Sequence, residues 1–182
     1  SLQFNSLLYT ITDELWCATD NGVYILKNGE LTMAPGNDQI ADMQVYDLEQ
    51  IGELMYCASE GGISVFDLEG NHLMNYTTDD GLSSNICLDL VSDFEGSLWI
   101  ATDQGLSKMN IGEQIEIESI NFESAPLTNT TFFVEFSDNT SLWTGTERGL
   151  HRLDIISGIT KYYGYEDGFY PLETNLGAVC RG

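Results

Sequence analysis

Short apolar runs alternate with turn residues along the whole chain. Leu15-Trp16-Cys17-Ala18-Thr19 leads through Asp20-Asn21-Gly22 into Val23-Tyr24-Ile25-Leu26. The same phrase returns three times. Leu54-Met55-Tyr56-Cys57-Ala58-Ser59-Glu60-Gly61-Gly62 precedes Ile63-Ser64-Val65-Phe66, and Leu98-Trp99-Ile100-Ala101-Thr102-Asp103-Gln104-Gly105 precedes Leu106-Ser107-Lys108-Met109. The fourth copy, Leu142-Trp143-Thr144-Gly145-Thr146-Glu147-Arg148-Gly149, runs into Leu150-His151-Arg152-Leu153. These runs are short and rich in β-favouring residues, and no segment has the period of an amphipathic helix. The pattern predicts paired strands joined by tight turns. Glycine supplies positive φ there, and the acid is expected to bond local backbone N–H groups.

The aromatic steps through positions 16, 56, 99 and 143, and the glycine through 22, 62, 105 and 149. Both anchors advance by 40, 43 and 44 residues. Two anchors drifting together over four copies mark an internal repeat. The first strand of each copy is apolar on both faces, as a strand between neighbouring sheets must be. Its aromatic fits an inter-sheet contact, with the small residue (Ala18, Ala58, Ala101 or Gly145) leaving room beside it.

Two further strands complete each copy. An outer one follows turns such as Asn28-Gly29 and Glu69-Gly70-Asn71, for example Leu73–Tyr76 and Ile159–Tyr163. An inner one precedes the aromatic: Ser6–Thr10, Met43–Asp47, Ile86–Val91 and Phe132–Phe136. The third copy departs most, and its outer strand is expected within Ile111–Glu118. Four short strands per repeat of this length predict an all-β fold, a β-propeller of about four four-stranded blades. The expected blades are roughly 1–36, 37–80, 81–125 and 126–170, with a further blade starting at 171–182.

The chain has 182 residues, 42% of them hydrophobic and 11% aromatic, with 18 Gly and 3 Pro. Six Lys and Arg oppose 29 Asp and Glu, a net charge of −23. That charge repels phosphate backbones and anionic headgroups, which argues against nucleic-acid binding and membrane attachment. It could attract cations or a basic partner. The acids are spread along the chain, however, so solubility or a salty habitat is the simpler reason. No apolar run approaches a membrane span, and no signal peptide is visible. The ends read as cuts, so a fragment of a longer protein is expected.

Cys17, Cys57, Cys87 and Cys180 include no C-x-x-C pair and have no His at metal spacing. Buried thiols are the default, and no disulfide pair is singled out. His72 and His151 stand apart, and no nucleophile-elbow or Walker-type loop occurs. Asp42, Asp79 and Asp80 form no D-x-D-x-D-G calcium loop and read as solvated turn acids. No catalytic residue, metal site or cofactor is expected.

Tyr76-Thr-Thr-Asp-Asp-Gly-Leu-Ser-Ser-Asn85 stands ahead of Asp93-Phe-Glu-Gly-Ser-Leu-Trp-Ile-Ala-Thr-Asp-Gln-Gly-Leu106. Asn85 and Asn129 each lie 14 residues before their Trp. Together these segments resemble the two-component regulator propeller repeat, Y-x-x-x-D-G-L-x-x-N followed by D-x-x-G-x-L-W-I-G-T-x-x-G-L. Nearly the whole chain is covered. Copies one to three carry Ala for the usual Gly, and copy two has Tyr56 for Trp and Ser59 for Thr.

The resemblance implies part of a seven-bladed ring, in the periplasmic or extracellular part of an inner-membrane protein. It implies a signal-input function in a two-component system, detecting a nutrient such as a carbohydrate. The implied partners are a small-molecule or oligosaccharide ligand, downstream sandwich and kinase domains of the parent chain, and a second copy as homodimer. Kinase or cyclase activity would lie outside this chain. Ligands of such propellers sit on loops from the outer strand of one blade to the inner strand of the next. Asn85, Asn129, Tyr170 and Asn175 are the candidates there. Asp80, Gly81, Asp167 and Gly168 read instead as turn caps, and Leu82 and Phe169 as packing plugs. A propeller enzyme acting on glycans and a protein-docking propeller are the alternatives, since fold alone decides neither.

Overall fold

The computed structural model describes residues 2–120 and 130–168. Within them lie 16 strands in four separate four-stranded antiparallel sheets. Blade 1 is β1 (Phe4–Tyr9), β2 (Leu15–Thr19), β3 (Gly22–Lys27) and β4 (Glu30–Met33). Blade 2 is β5 (Val45–Ile51), β6 (Leu54–Ser59), β7 (Gly62–Asp67) and β8 (His72–Tyr76). Blade 3 is β9 (Cys87–Ser92), β10 (Leu98–Thr102), β11 (Gly105–Asn110) and β12 (Glu116–Ile120). Blade 4 is β13 (Thr131–Phe136), β14 (Ser141–Thr146), β15 (Gly149–Asp154) and β16 (Thr160–Tyr163). Each sheet keeps sequence order, so every connection inside a blade is a hairpin.

Two strands differ from the expected positions. β5 begins at Val45 and runs to Ile51, because Gly52-Glu53 makes a two-residue turn with Gly52 at φ 60°. β12 starts only at Glu116, paired with Asn110, after a connection over residues 111–115. Among the described residues helix is confined to three short 3-10 turns.

The turn after each aromatic strand is closed by a hydroxyl. The side chains of Thr19, Ser59, Thr102 and Thr146 donate to the carbonyls of Gly22, Gly62, Gly105 and Gly149 at 2.7, 2.9, 3.0 and 3.1 Å. The same oxygens accept the N–H groups of Asn21, Gly61, Gln104 and Arg148. The local backbone partner is therefore this hydroxyl, where the turn acid was expected. Thr and Ser already sit at the strand end with their oxygen over the turn, so the acid is left exposed at Asp20, Glu60 and Glu147. All four glycines hold positive φ, from 87° at Gly22 to 143° at Gly149.

The chain forms two compact units, Ser1–Cys87 and Leu88–Gly182. In the first, the core between blades 1 and 2 contains Trp16, Ala18, Val23 and Ile25 against Val45, Leu48, Met55 and Phe66. Trp16 meets Phe66 edge-on at 6.0 Å, the inter-blade contact expected of the aromatic. In the second, Trp99, Ala101 and Leu106 of blade 3 pack on Val134, Leu142 and Leu153 of blade 4. Cys17, Cys57 and Cys87 are buried thiols, and burial pushes Cys57 well up. Cys180 lies outside the described residues.

Candidate functional site

The loop from β8 to β9 is built by its own side chains. The Thr77 hydroxyl accepts from the Asp79 N–H at 3.2 Å, and Asp80 Oδ2 accepts the Thr77 N–H at 2.9 Å. This reciprocal cap closes one 3-10 turn, which Gly81 leaves at φ 114°. Leu82 is buried behind it. Asn85 sits half-buried at the end of the loop, its Oδ1 accepting the Thr78 N–H at 2.8 Å. One half of this cap recurs after blade 4, where Asp167 Oδ2 accepts the Gly164 N–H at 3.0 Å and Gly168 follows at φ 86°. Asp80, Gly81, Asp167 and Gly168 thus have the capping roles expected of them. Phe169, Asn129, Tyr170 and Asn175 lie outside the described residues.

The equivalent loop in blade 1 uses an anchor that sequence reading missed. Asn37 is 4% exposed and pairs with the Val23 backbone in both directions. Its Oδ1 accepts from Val23 N–H at 3.0 Å, and its Nδ2 donates to Val23 C=O at 3.1 Å. Beyond it, Ala41 N–H donates to Ser64 Oγ, Ser64 donates to Asn75 Oδ1, and Asn75 Nδ2 donates to the Gln39 carbonyl. His72 Nε2 shares Asn75 Oδ1 at 2.8 Å. The signal available in the sequence was a polar residue, Ser64, inside an apolar strand. His151, by contrast, is buried in blade 4 with its ring 5.0 Å from Tyr162, and burial pushes its pKa down. No cluster of three or more potential metal ligands occurs among the described residues.

The second unit holds a cleft of about 1020 Å³ between the outer parts of blades 3 and 4. Its floor is the cross-strand row Trp99, Lys108 and Glu118. Asp93 is the hub beneath. It accepts from the Trp99 indole at 2.9 Å and from the N–H groups of Glu95 and Ser97, and lies 3.5 Å from Lys108 Nζ. Burial pushes the Asp93 carboxyl up, but the indole, the amides and the ammonium outweigh it and hold it below its ordinary range. Lys108 Nζ also stands 5.1 Å from the Trp99 ring centre. Phe94, Ile156 and Ile159 form an apolar rim and are 68%, 78% and 69% exposed.

The first unit shows why that cleft is open. At the position of Lys108, blade 1 has Ile25, which is buried. There Gly36 N–H donates to Gly70 C=O at 2.8 Å, and Gly70 packs against Ile25, Ala34 and Pro35. An aliphatic residue with a close-packed turn seals one junction, and a charged pair with an isoleucine-rich turn leaves the other open.

No family model and no curated protein matches the chain. Solved structures do. The chain matches over 100% of its length, with TM-score 0.87 and 15% identity, an extracellular domain described as that of hybrid two-component system BT3049 of B. thetaiotaomicron. It spans 25% of that chain. The fold is that of a β-propeller. A virginiamycin B lyase from Staphylococcus aureus matches 90% of the chain and 56% of its own length, at TM-score 0.66 and 12% identity. PorZ, a surface component of the type-IX secretion system of Porphyromonas gingivalis, matches 87% and 22%, at TM-score 0.68 and 16% identity. Identities this low speak for the fold alone. Among the described residues no helix is long and apolar enough to cross a membrane.

Proposed function

We propose that the chain is the ligand-sensing propeller segment of an extracytoplasmic two-component regulator, recognising a nutrient such as a carbohydrate. The observations that support the reading are the match of this chain, over its whole length, to a quarter of an extracellular domain described in those terms, and the repeat motifs around Asn85 and Trp99. Asn85, Asn129, Tyr170 and Asn175 are the ligand contacts of this proposal. The braced loop at Thr77–Asn85 supports it physically. A loop closed by its own caps loses little conformational freedom when a ligand arrives. Downstream sandwich and kinase domains would receive the signal.

The test is a calorimetric screen of mono- and oligosaccharides against the chain, repeated with Asn85→Ala. A saturable heat for one saccharide, weakened about tenfold or more in the variant, is the expected result. The reading fails if no saccharide binds, or if a saccharide is cleaved by the wild-type chain.

A further inference from the structure

The sensing proposal makes no use of the cleft between blades 3 and 4. Its walls include the turns after β9, β13 and β15, whereas the loops carrying Asn85 and Asn129 precede β9 and β13. Both walls belong to the second unit. Two turn glycines show how this junction differs from that of blades 1 and 2. Gly70 and Gly158 each donate to the carbonyl of the aspartate that opens their turn, Asp67 and Asp154. A Cβ on Gly70 would lie 2.8 Å from Pro35 Cδ and 2.9 Å from Ile25 Cδ1. A Cβ on Gly158 would meet nothing within 4 Å among the described residues. The space that the first junction fills with its own side chains is open at the second.

The chemistry of the walls specifies what fits. The rim is apolar, with Phe94, Ile156 and Ile159 each more than two-thirds exposed around a polar floor. Thr160 Oγ1 lines the cleft, is buried, and has no hydrogen-bond partner among the described residues. Lys108 bridges to Asp93, and an ammonium has three donors, so N–H groups remain for an incoming acceptor. Three carboxylates (Asp93, Glu95 and Glu118) against one ammonium give the walls a net −2. Lys108 matches Asp93, and neither Glu95 nor Glu118 has an ion-pair partner among the described residues. A stretch of polypeptide meets all of these demands. Its carbonyls accept from Lys108, its amides donate to Thr160, its apolar side chains cover the rim, and a basic side chain answers the two carboxylates. A second copy of this chain, at −23, is repelled instead.

We propose that the cleft floored by Trp99, Lys108 and Glu118 binds a short peptide segment of a partner protein, in which a Lys or Arg stands between large apolar residues. The basic side chain pairs with Glu118 and Glu95, and its neighbours pack on Phe94, Ile156 and Ile159. The site does not rest on the sensing proposal.

The test is fluorescence anisotropy of the whole chain with three fluorescein-labelled pentapeptide mixtures. One has a central Arg flanked by Leu, Ile, Phe and Tyr in random order, the second has Glu at the centre of the same flanks, and the third keeps Arg but has Ser, Asn and Gln as flanks. Saturable binding of the first mixture is expected, with the second and third weaker by about tenfold or more. Ile156→Ser should weaken the first mixture about fivefold or more through lost apolar contact. Glu118→Gln should weaken it about two- to fivefold, as expected for an exposed ion pair. Glu53→Gln, in the β5–β6 turn, should leave it unchanged. Circular dichroism checks each variant, and Ile159→Ser replaces Ile156→Ser if the latter misfolds. A first mixture that does not bind, a Glu-centred mixture that binds as well, or a rim variant that binds like wild type would overturn the proposal. So would a loss in Glu53→Gln equal to that in Glu118→Gln, since overall charge would then be the attraction.

Discussion

At the scale of single residues, the blades are held by small polar groups in an apolar setting. Thr102 is fully buried, and its hydroxyl both donates to Gly105 and accepts from Gln104. Thr102→Val keeps the shape and leaves two backbone groups without that partner, so a loss of about 1–3 kcal/mol in urea unfolding is expected. Gly62→Ala should cost more than the usual glycine penalty. Gly62 has φ 129°, and a Cβ there would lie 2.2 Å from the Tyr76 carbonyl oxygen. Asp93 governs a pH response. Its carboxyl is held below the ordinary value, so its contribution is present above the unfolded value near pH 4 and is lost as pH falls through the folded one. Asp93→Asn should flatten the acid limb of stability below about pH 4 and leave neutral-pH folding cooperative. An unchanged acid limb in a pH series of melts would remove Asp93 from that role. The glycines were legible in the sequence because positive φ selects them. The hydroxyls were not, because Thr and Ser at a strand end look the same whether their oxygen faces water or a turn.

At the scale of elements, spacing of apolar runs predicted the four four-stranded sheets, since each strand pair must bury both faces of its aromatic strand. It misplaced β5, where Gly52-Glu53 replaces a longer turn, and β12, where alternating Glu and Ile over Ile115–Ile120 suits several registers. Half of the loop site was legible: the Asp-Gly caps follow from turn chemistry, whereas the Asn85–Thr78 bond depends on a fold-back across seven residues. The cleft was hidden for a different reason. It arises from one exchange between repeats, Ile25 to Lys108, combined with a change of partner, Thr10 to Asp93. A paired, mostly buried charge is costly to break and cheap to replace whole. Lys108→Met alone should therefore lower stability by about 1–3 kcal/mol, discounted for the partial exposure of the ammonium. Combining it with Asp93→Ser, the residue blade 4 has as Ser137, should recover most of that loss. Strict additivity of the two in chemical denaturation would mean that the pair is not coupled.

At the scale of the whole molecule, the charge of −23 is the dominant long-range term. Residues 34–80 hold ten carboxylates and no Lys or Arg, so self-repulsion is concentrated in blade 2 and its loops. Salt screens such repulsion over roughly 8–10 Å, and the melting temperature should rise as salt is raised from low to molar. A melting temperature indifferent to salt would show that the carboxylates are too dispersed to matter. The hydroxyl latch has one more consequence. Thr19, Ser59, Thr102 and Thr146 each close a turn with residues of their own hairpin. A duplicated stretch of gene encoding one blade therefore brings its own fastening with it, and only the two flat faces must find a match. Chains of this kind can lengthen or shorten by whole blades in evolution, with selection acting on the faces and leaving the hairpins intact.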